Sequence, residues 1–501
     1  MAAGQAAQSG VTVADTNLKA GALGLPSIFM QAITQIAPGI AALFYTPFVV
    51  ANAGLAAPLA YPIGFVLVFI TAMGFAELAK AVPSAGGYYT YVARGIHPRW
   101  GFLVAWVNLI YTPLVLGSVL VFGGWVWATS LNWPDWWPFA FLFLGAGAVA
   151  VLQYRGVQVS GKTLVILGSI ELVVVFVLGL WGIANPGPGG FNFKPFDPGN
   201  AASFSGLALA GVLAVQAFSG WEGATPMAEE SANPKRNIRL ALLGSVLLFG
   251  VFIVIVQWGV MLGWGSDNFS TIPTSPELPG ITLAKNFWGG AWIVLLIMLM
   301  SSTIAVSIAC ANVSTRIWYK MASDGVAPRF LAHVHPTYKT PSNAVITQFV
   351  VAIVWGFLMT GLAILANDKD KSLLTAEANQ YYIYGTSGGF QLIFIYVSVN
   401  IACILLYLRE RRSEFNPLLH LVFPIISTVA MAFIAWVSFN PAPAAPFFYA
   451  IPATFIWIGL GVLVVVYLWA TKREAWMLKA VEAATERPAT EEEVAAMKGE
   501  W

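Results

Sequence analysis

The chain has 501 residues, of which 58% are hydrophobic and 10% charged, with a formal net charge of +2. A soluble domain carries about 25% charged residues, so this composition, with a mean hydropathy of +0.74, excludes a protein that faces water on all sides. The balanced charge gives no reason to expect a nucleic-acid partner. The two cysteines, Cys310 and Cys403, sit in apolar runs with no disulfide framework or metal-ligand spacing around them.

The first twenty residues are polar and hold a single lysine, Lys19, without the basic-then-apolar pattern of a cleaved leader. The first apolar segment opens near Leu23 and is too long for a signal peptide, so it is expected to remain as a membrane span. Crossing a bilayer takes about 20 apolar residues per helix. Twelve such runs follow in order: 23–51, 54–80, 99–129, 137–154, 157–184, 204–229, 238–264, 286–321, 342–366, 384–408, 417–439 and 446–470. No polar linker divides them. The expectation is an all-α membrane protein with one transporter domain over 23–471, between tails 1–22 and 472–501.

Lys and Arg favour the cytoplasmic loops. One set of loops holds Arg94, Arg99, Arg155, Lys162, Lys235, Arg236, Arg239, Lys320, Arg329, Lys339, Arg409, Arg411 and Arg412. The alternate set holds only Lys194, Lys285, Lys369 and Lys371. The rich set is therefore assigned to the cytoplasm, in the cell (inner) membrane, and an even span count puts both termini there too. Trp133, Trp136 and Trp137 fall in a short outer loop, where interfacial aromatics belong.

Two spans carry breaks. The first is interrupted at Ala37-Pro38-Gly39, and the sixth at Ser219-Gly220-Trp221-Glu222-Gly223. Pro and Gly at membrane depth free backbone groups, which is tolerated where they line a cavity or meet other helices. Breaks at matching positions of two halves point to a transporter's central site. Spans 1–5 (about 23–184) and 6–10 (about 204–408) would then be repeats of five, inverted because five is odd, with spans 11 and 12 (about 417–470) appended.

Four stretches resemble the amino acid–polyamine–organocation permeases. They are Ala76-Glu77-Leu78-Ala79 with Pro83 to Tyr91, Phe218 to Glu222 with Glu229-Glu230 and Asn233 to Ile238, Ala311 to Arg316 with Ser323 to Arg329, and Thr340-Pro341. The resemblance covers Leu23 to Arg412 and implies the leucine-transporter-type fold, secondary transport by alternating access, and an amino acid substrate held at the two breaks. Three positions depart from the family pattern. Gly39 to Phe44 replaces its G-x-G-I-F run, Ser323 stands for a usual arginine, and Glu171 stands where many relatives carry a lysine in the fifth span.

The residues themselves point the same way. The break at Pro38-Gly39 would present N–H groups to an anion, the one at Ser219-Gly220 carbonyls to an ammonium, so a small zwitterion could bridge both. Ala37, Pro38, Gly39, Ile40 and Ala41, with Phe218, Ser219, Gly220 and Trp221, are the expected substrate-binding residues. Asn108 and Tyr111 on the third span are candidate walls. Gly39 is expected to let the backbone approach the ligand closely. Glu171 and Glu222 lie at membrane depth, where an acid costs about 2.5–3.5 kcal/mol unless protonated, paired or wet. They are the candidate coupling and gating groups, with the proton as coupling ion; Glu77, nearer the cytoplasm, reads as structural. Ser301, Ser302 and Thr303 could serve a cation site. His97, His333, His335 and His420 assemble no catalytic constellation, and neither enzyme chemistry nor a cofactor is expected. Import of an amino acid is the first reading. Exchange, or import of an amine of the polyamine or ethanolamine type, is the alternative, with few acids available for a dication.

Overall fold

The structure is a computed structural model that describes residues 21–84, 86–275, 277–323, 327–366, 373–439 and 447–471. Apart from Gly21 and Ala22, both expected tails lie outside the described residues, as do Asp324 to Val326, Lys369 and Lys371. Among the described residues there are twelve helical segments long and apolar enough to cross a membrane. They are Leu25–Leu43, Ala57–Ala81, Pro98–Leu131, Trp137–Tyr154, Lys162–Ala184, Phe204–Glu230, Pro234–Trp264, Pro279–Ser323, Ser342–Leu365, Thr375–Arg409, Leu418–Ser438 and Phe448–Ala470, called spans one to twelve below. The protein is an all-α, multi-pass membrane protein.

Burial sorts these spans into layers. Spans one, three, six and eight form the enclosed centre, whereas eleven and twelve leave Val429, Phe433, Trp436, Ile456 and Leu463 exposed. In a bilayer that outer face is solvated by lipid, which is as apolar as the side chains. Small residues permit the close central packing: a Cβ on Gly64 would lie 3.0 Å from that of Ala214, and one on Gly179 would lie 2.8 Å from the Cα of Val256.

Span one is two pieces, Leu25–Ile36 and Pro38–Leu43, joined by Ala37 at φ 55° and ψ 73°. Proline disfavours the helical region for its predecessor and removes one ladder donor, so the chain turns at Ala37. A non-glycine residue in the left-handed region costs about 1–2 kcal/mol, which the surrounding packing must offset. Span six runs as an α-helix over Phe204–Ala217 and turns through Gly220 at φ 113°. It continues as a 3-10 helix, Trp221–Glu230, with Pro226 inside it. Between spans two and three, the stretch read as a loop folds as a short buried helix, Tyr88–Gly95. Glu77 pairs with Arg239 at 3.2 Å and accepts from the Tyr407 hydroxyl at 3.3 Å, a structural bracing.

The charge asymmetry between loops predicts which ends face outward. With the two native cysteines replaced, Pro134→Cys should react with an impermeant maleimide applied to intact cells, and Ser413→Cys should react only after permeabilisation. Both positions are exposed. Neighbouring Asn132 is avoided because its backbone sits at φ 54°. Labelling of both sites from one face would contradict the twelve-span topology.

Candidate functional site

The two breaks pack against each other. A Cβ on Gly220 would lie 2.5 Å from the carbonyl carbon of Gln35 and 2.6 Å from its oxygen. Gly220 is thus required twice, for its positive φ and for the backbone it touches. Gly220→Ala should cost about 2–4 kcal/mol, adding overpacking to left-handed strain. The expected result is a lower melting temperature and lost uptake, with Gly147→Ala, whose added Cβ meets nothing within 4 Å, unchanged.

Beside the breaks lies a small cavity of about 40 Å3. Span one contributes Gln35, Ile36, Ala37, Ile40 and Ala41, with Tyr45 just beyond its end, and span six Gln216, Ala217, Ser219 and Gly220. Thr112 and Val119 face it from span three, Val306 and Cys310 from span eight, Tyr381 and Tyr384 from span ten. The wall mixes polar and apolar groups, and none of its described residues carries a formal charge. Ala37, Ile40, Ala41, Ser219 and Gly220, expected from the breaks alone, line this cavity. Gln35, Gln216, Cys310 and the two tyrosines were not expected there, although glutamines inside apolar runs next to a break are a readable signal.

Other expected residues face elsewhere. Gly39 turns its missing side chain toward Glu171, Met298 and Val175, at 3.2–3.3 Å, rather than into the cavity. Asn108 accepts from the Tyr88 hydroxyl at 2.5 Å and from Thr112 Oγ1 at 2.7 Å, so it orients Thr112 instead of lining the wall. Phe218 packs on Phe249 and Phe65, with ring centroids 4.9 and 6.1 Å apart. Trp221 packs on Phe75 at 4.7 Å and Tyr396 at 5.5 Å. Pro38 acts by breaking the ladder. The side chain of Tyr111 lies outside the described residues.

Glu171 is fully buried and joins three spans. Its Oε1 accepts from the Gly39 N–H at 2.6 Å and from Ser302 Oγ at 2.5 Å, while Oε2 has no partner among the described residues. The N–H that the sequence reading assigned to a substrate carboxylate is therefore taken by the protein's own acid. Ile40, a wall residue, is the third residue of the half-helix Pro38–Leu43, so its N–H is among the first-turn donors at that helix start. Ser301 and Thr303 donate instead to the carbonyls of Met298 and Met300, at 2.8 and 2.7 Å. Glu222 Oε2 accepts from the Gly220 N–H and the Tyr396 hydroxyl, both at 3.0 Å, and so braces the second break against span ten.

A family model described as amino acid permease matches residues 23–469, nearly the whole chain. The chain belongs to the amino acid permease family. It is accordingly a transporter of the amino acid–polyamine–organocation superfamily rather than an enzyme. Among curated relatives, it is 25% identical over 366 residues to the low-affinity putrescine importer PlaP of Escherichia coli, covering 71% of this chain and 75% of that protein. It is 24% identical over 306 residues to the serine/threonine exchanger SteT of Bacillus subtilis (59% of this chain, 67% of that one). To the glutamate/serine transporter AimA of the same organism it is 25% identical over 354 residues (63% and 61%).

Proposed function

We propose that this permease imports an amino acid or a closely related small zwitterion across the cell membrane, coupled to protons, by alternating access. Its halves are read as inverted repeats of five spans, with the Lys- and Arg-rich loops and both termini in the cytoplasm. The observation that carries the reading is the uncharged cavity of mixed polar and apolar lining set beside the two broken spans. A ligand with one positive and one negative group is met there by dipoles of opposite sign, the start of the second half of span one and the end of the first half of span six. A dication would bring two charges into a wall that offers no carboxylate, which argues against a diamine within this cavity.

Glu171 supplies the coupling in this reading. Its carboxyl touches both the broken span and span eight, so a proton arriving on it alters the bonds that hold these elements together. Coupling requires the proton to favour one conformation over the other. Exchange is the second reading, favoured by the resemblance to a serine/threonine exchanger. Uptake of a labelled amino acid panel into proteoliposomes, with and without an inward proton gradient, separates the two. Import predicts accumulation that a protonophore collapses; flux that needs only internal substrate, at any gradient, indicates exchange. No flux of any amino acid, with amines transported instead, would overturn the substrate assignment.

A further inference from the structure

The cavity wall formed by span ten continues toward the Leu373 end of its helix. Tyr384 and Tyr381 line the cavity, and Glu377 lies on the same face one turn beyond Tyr381, by i,i+4 and i,i+7 spacing. Glu377 is 0% exposed, and neither of its carboxylate oxygens has a hydrogen-bond partner among the described residues. Gln380 is anchored through Nε2 to the carbonyls of Ser118 at 3.0 Å and Glu377 at 3.2 Å. Its Oε1 is likewise without a donor. Three oxygens thus share one helical face, and none of them meets a donor among the described residues. Asp135, in the loop between spans three and four, lies within electrostatic reach of Glu377.

Buried acceptors are ordinarily paired, and a carboxylate away from water without a counter-charge is costly. The complement to these unpaired oxygens is an ammonium group, which has three donors and no acceptor. Phe122 stacks on Tyr381 with centroids 4.5 Å apart, so the surroundings of this face are apolar and aromatic. We propose that Glu377 and Gln380 form a second binding site, one helical turn from the cavity, for the ammonium head of an organic amine. The site does not depend on the transport reading, because occupancy is measured without flux.

The test is thermal unfolding of the purified full chain titrated with butylammonium chloride, against sodium chloride at equal ionic strength. Butylammonium should raise the wild-type midpoint saturably above the sodium control. Glu377→Gln should weaken its apparent affinity about ten- to hundredfold, as for a lost hydrogen bond to a charged group. Gln380→Ala and Asp135→Asn should weaken it by smaller factors, and they carry the decision if Glu377→Gln does not fold. Ser219→Leu, which fills the cavity, should stop uptake and leave the butylammonium response intact. A wild type that responds no more than to sodium chloride, an unchanged response in the Glu377, Gln380 and Asp135 variants, or its loss in Ser219→Leu would overturn the proposal.

Discussion

Replacing Glu171 by Gln is expected to abolish substrate accumulation driven by an inward proton gradient while leaving substrate-for-substrate exchange in place. The geometry makes this substitution informative. A glutamine Oε1 can accept the same two hydrogen bonds, from the Gly39 N–H and Ser302, so the brace between spans one, five and eight survives. The amide nitrogen replaces Oε2, which has no partner among the described residues, and the side chain then resembles the protonated acid permanently. A group that cannot release its proton cannot cycle one. Gradient-driven accumulation should therefore fall about tenfold or more, the effect of removing about 1.4 kcal/mol or more of conformational bias. Both activities are read in the same vesicles. A variant that still concentrates substrate on a pH gradient would move the proton to Glu222 or remove it from the mechanism.

The second large effect is structural. Arg316 on span eight pairs with Glu230 at the end of span six, and both side chains are almost wholly buried, 3% and 2% exposed. The guanidinium also donates to the Asn312 carbonyl at 2.8 Å, and the Glu230 carbonyl accepts the Leu23 N–H at 2.9 Å. Asn312 Nδ2 donates to Gln31 Oε1 at 3.1 Å, and Gln31 donates to Gln35 Oε1 at 3.3 Å. A continuous polar chain thus runs from the ion pair to the cavity wall. Removing one partner leaves a buried charge alone, which costs about 3–5 kcal/mol, whereas replacing both by apolar groups is often near neutral. Arg316→Met is expected to destabilise strongly, and Arg316→Met with Glu230→Met to recover most of the loss. Melting curves in detergent check this; a single variant as stable as the wild type would mean that the pair is not closed in the resting protein.

Much of the architecture was legible because lipid imposes a simple rule. Apolar runs of sufficient length become spans, and the fourth, Trp137–Tyr154, has the bounds read from the sequence. The two breaks were legible because Pro38 and Gly220 have few other uses at that depth. Span ten was read as starting at residue 384, yet its helix begins at Leu373. Its first turns carry Glu377, Gln380 and Tyr381, polar groups that face protein rather than lipid, and hydropathy does not register a helix buried on that side. Side-chain direction was the least legible feature. Beyond Ala37 and Gly220 the positive φ redirects the chain, so helical spacing no longer says which residues share a face. Hence Gly39 faces Glu171, and Phe218 and Trp221 pack into neighbouring helices while Ser219 lines the cavity.

The claim on which the account depends is that substrate occupies the cavity between the breaks. Cys310 lines that cavity, whereas Cys403, the other cysteine, is fully buried where span ten meets Gly74 of span two. The purified protein can be treated with N-ethylmaleimide and the modification of each cysteine followed by peptide mass spectrometry. Saturating transported amino acid should slow alkylation of Cys310 about tenfold, with a non-transported amino acid having no effect; occupancy at 90% leaves one-tenth of the sites free, in line with simple mass action. Alkylation of Cys310 at the same rate with and without a substrate that the vesicles accumulate would place the substrate elsewhere and contradict the account.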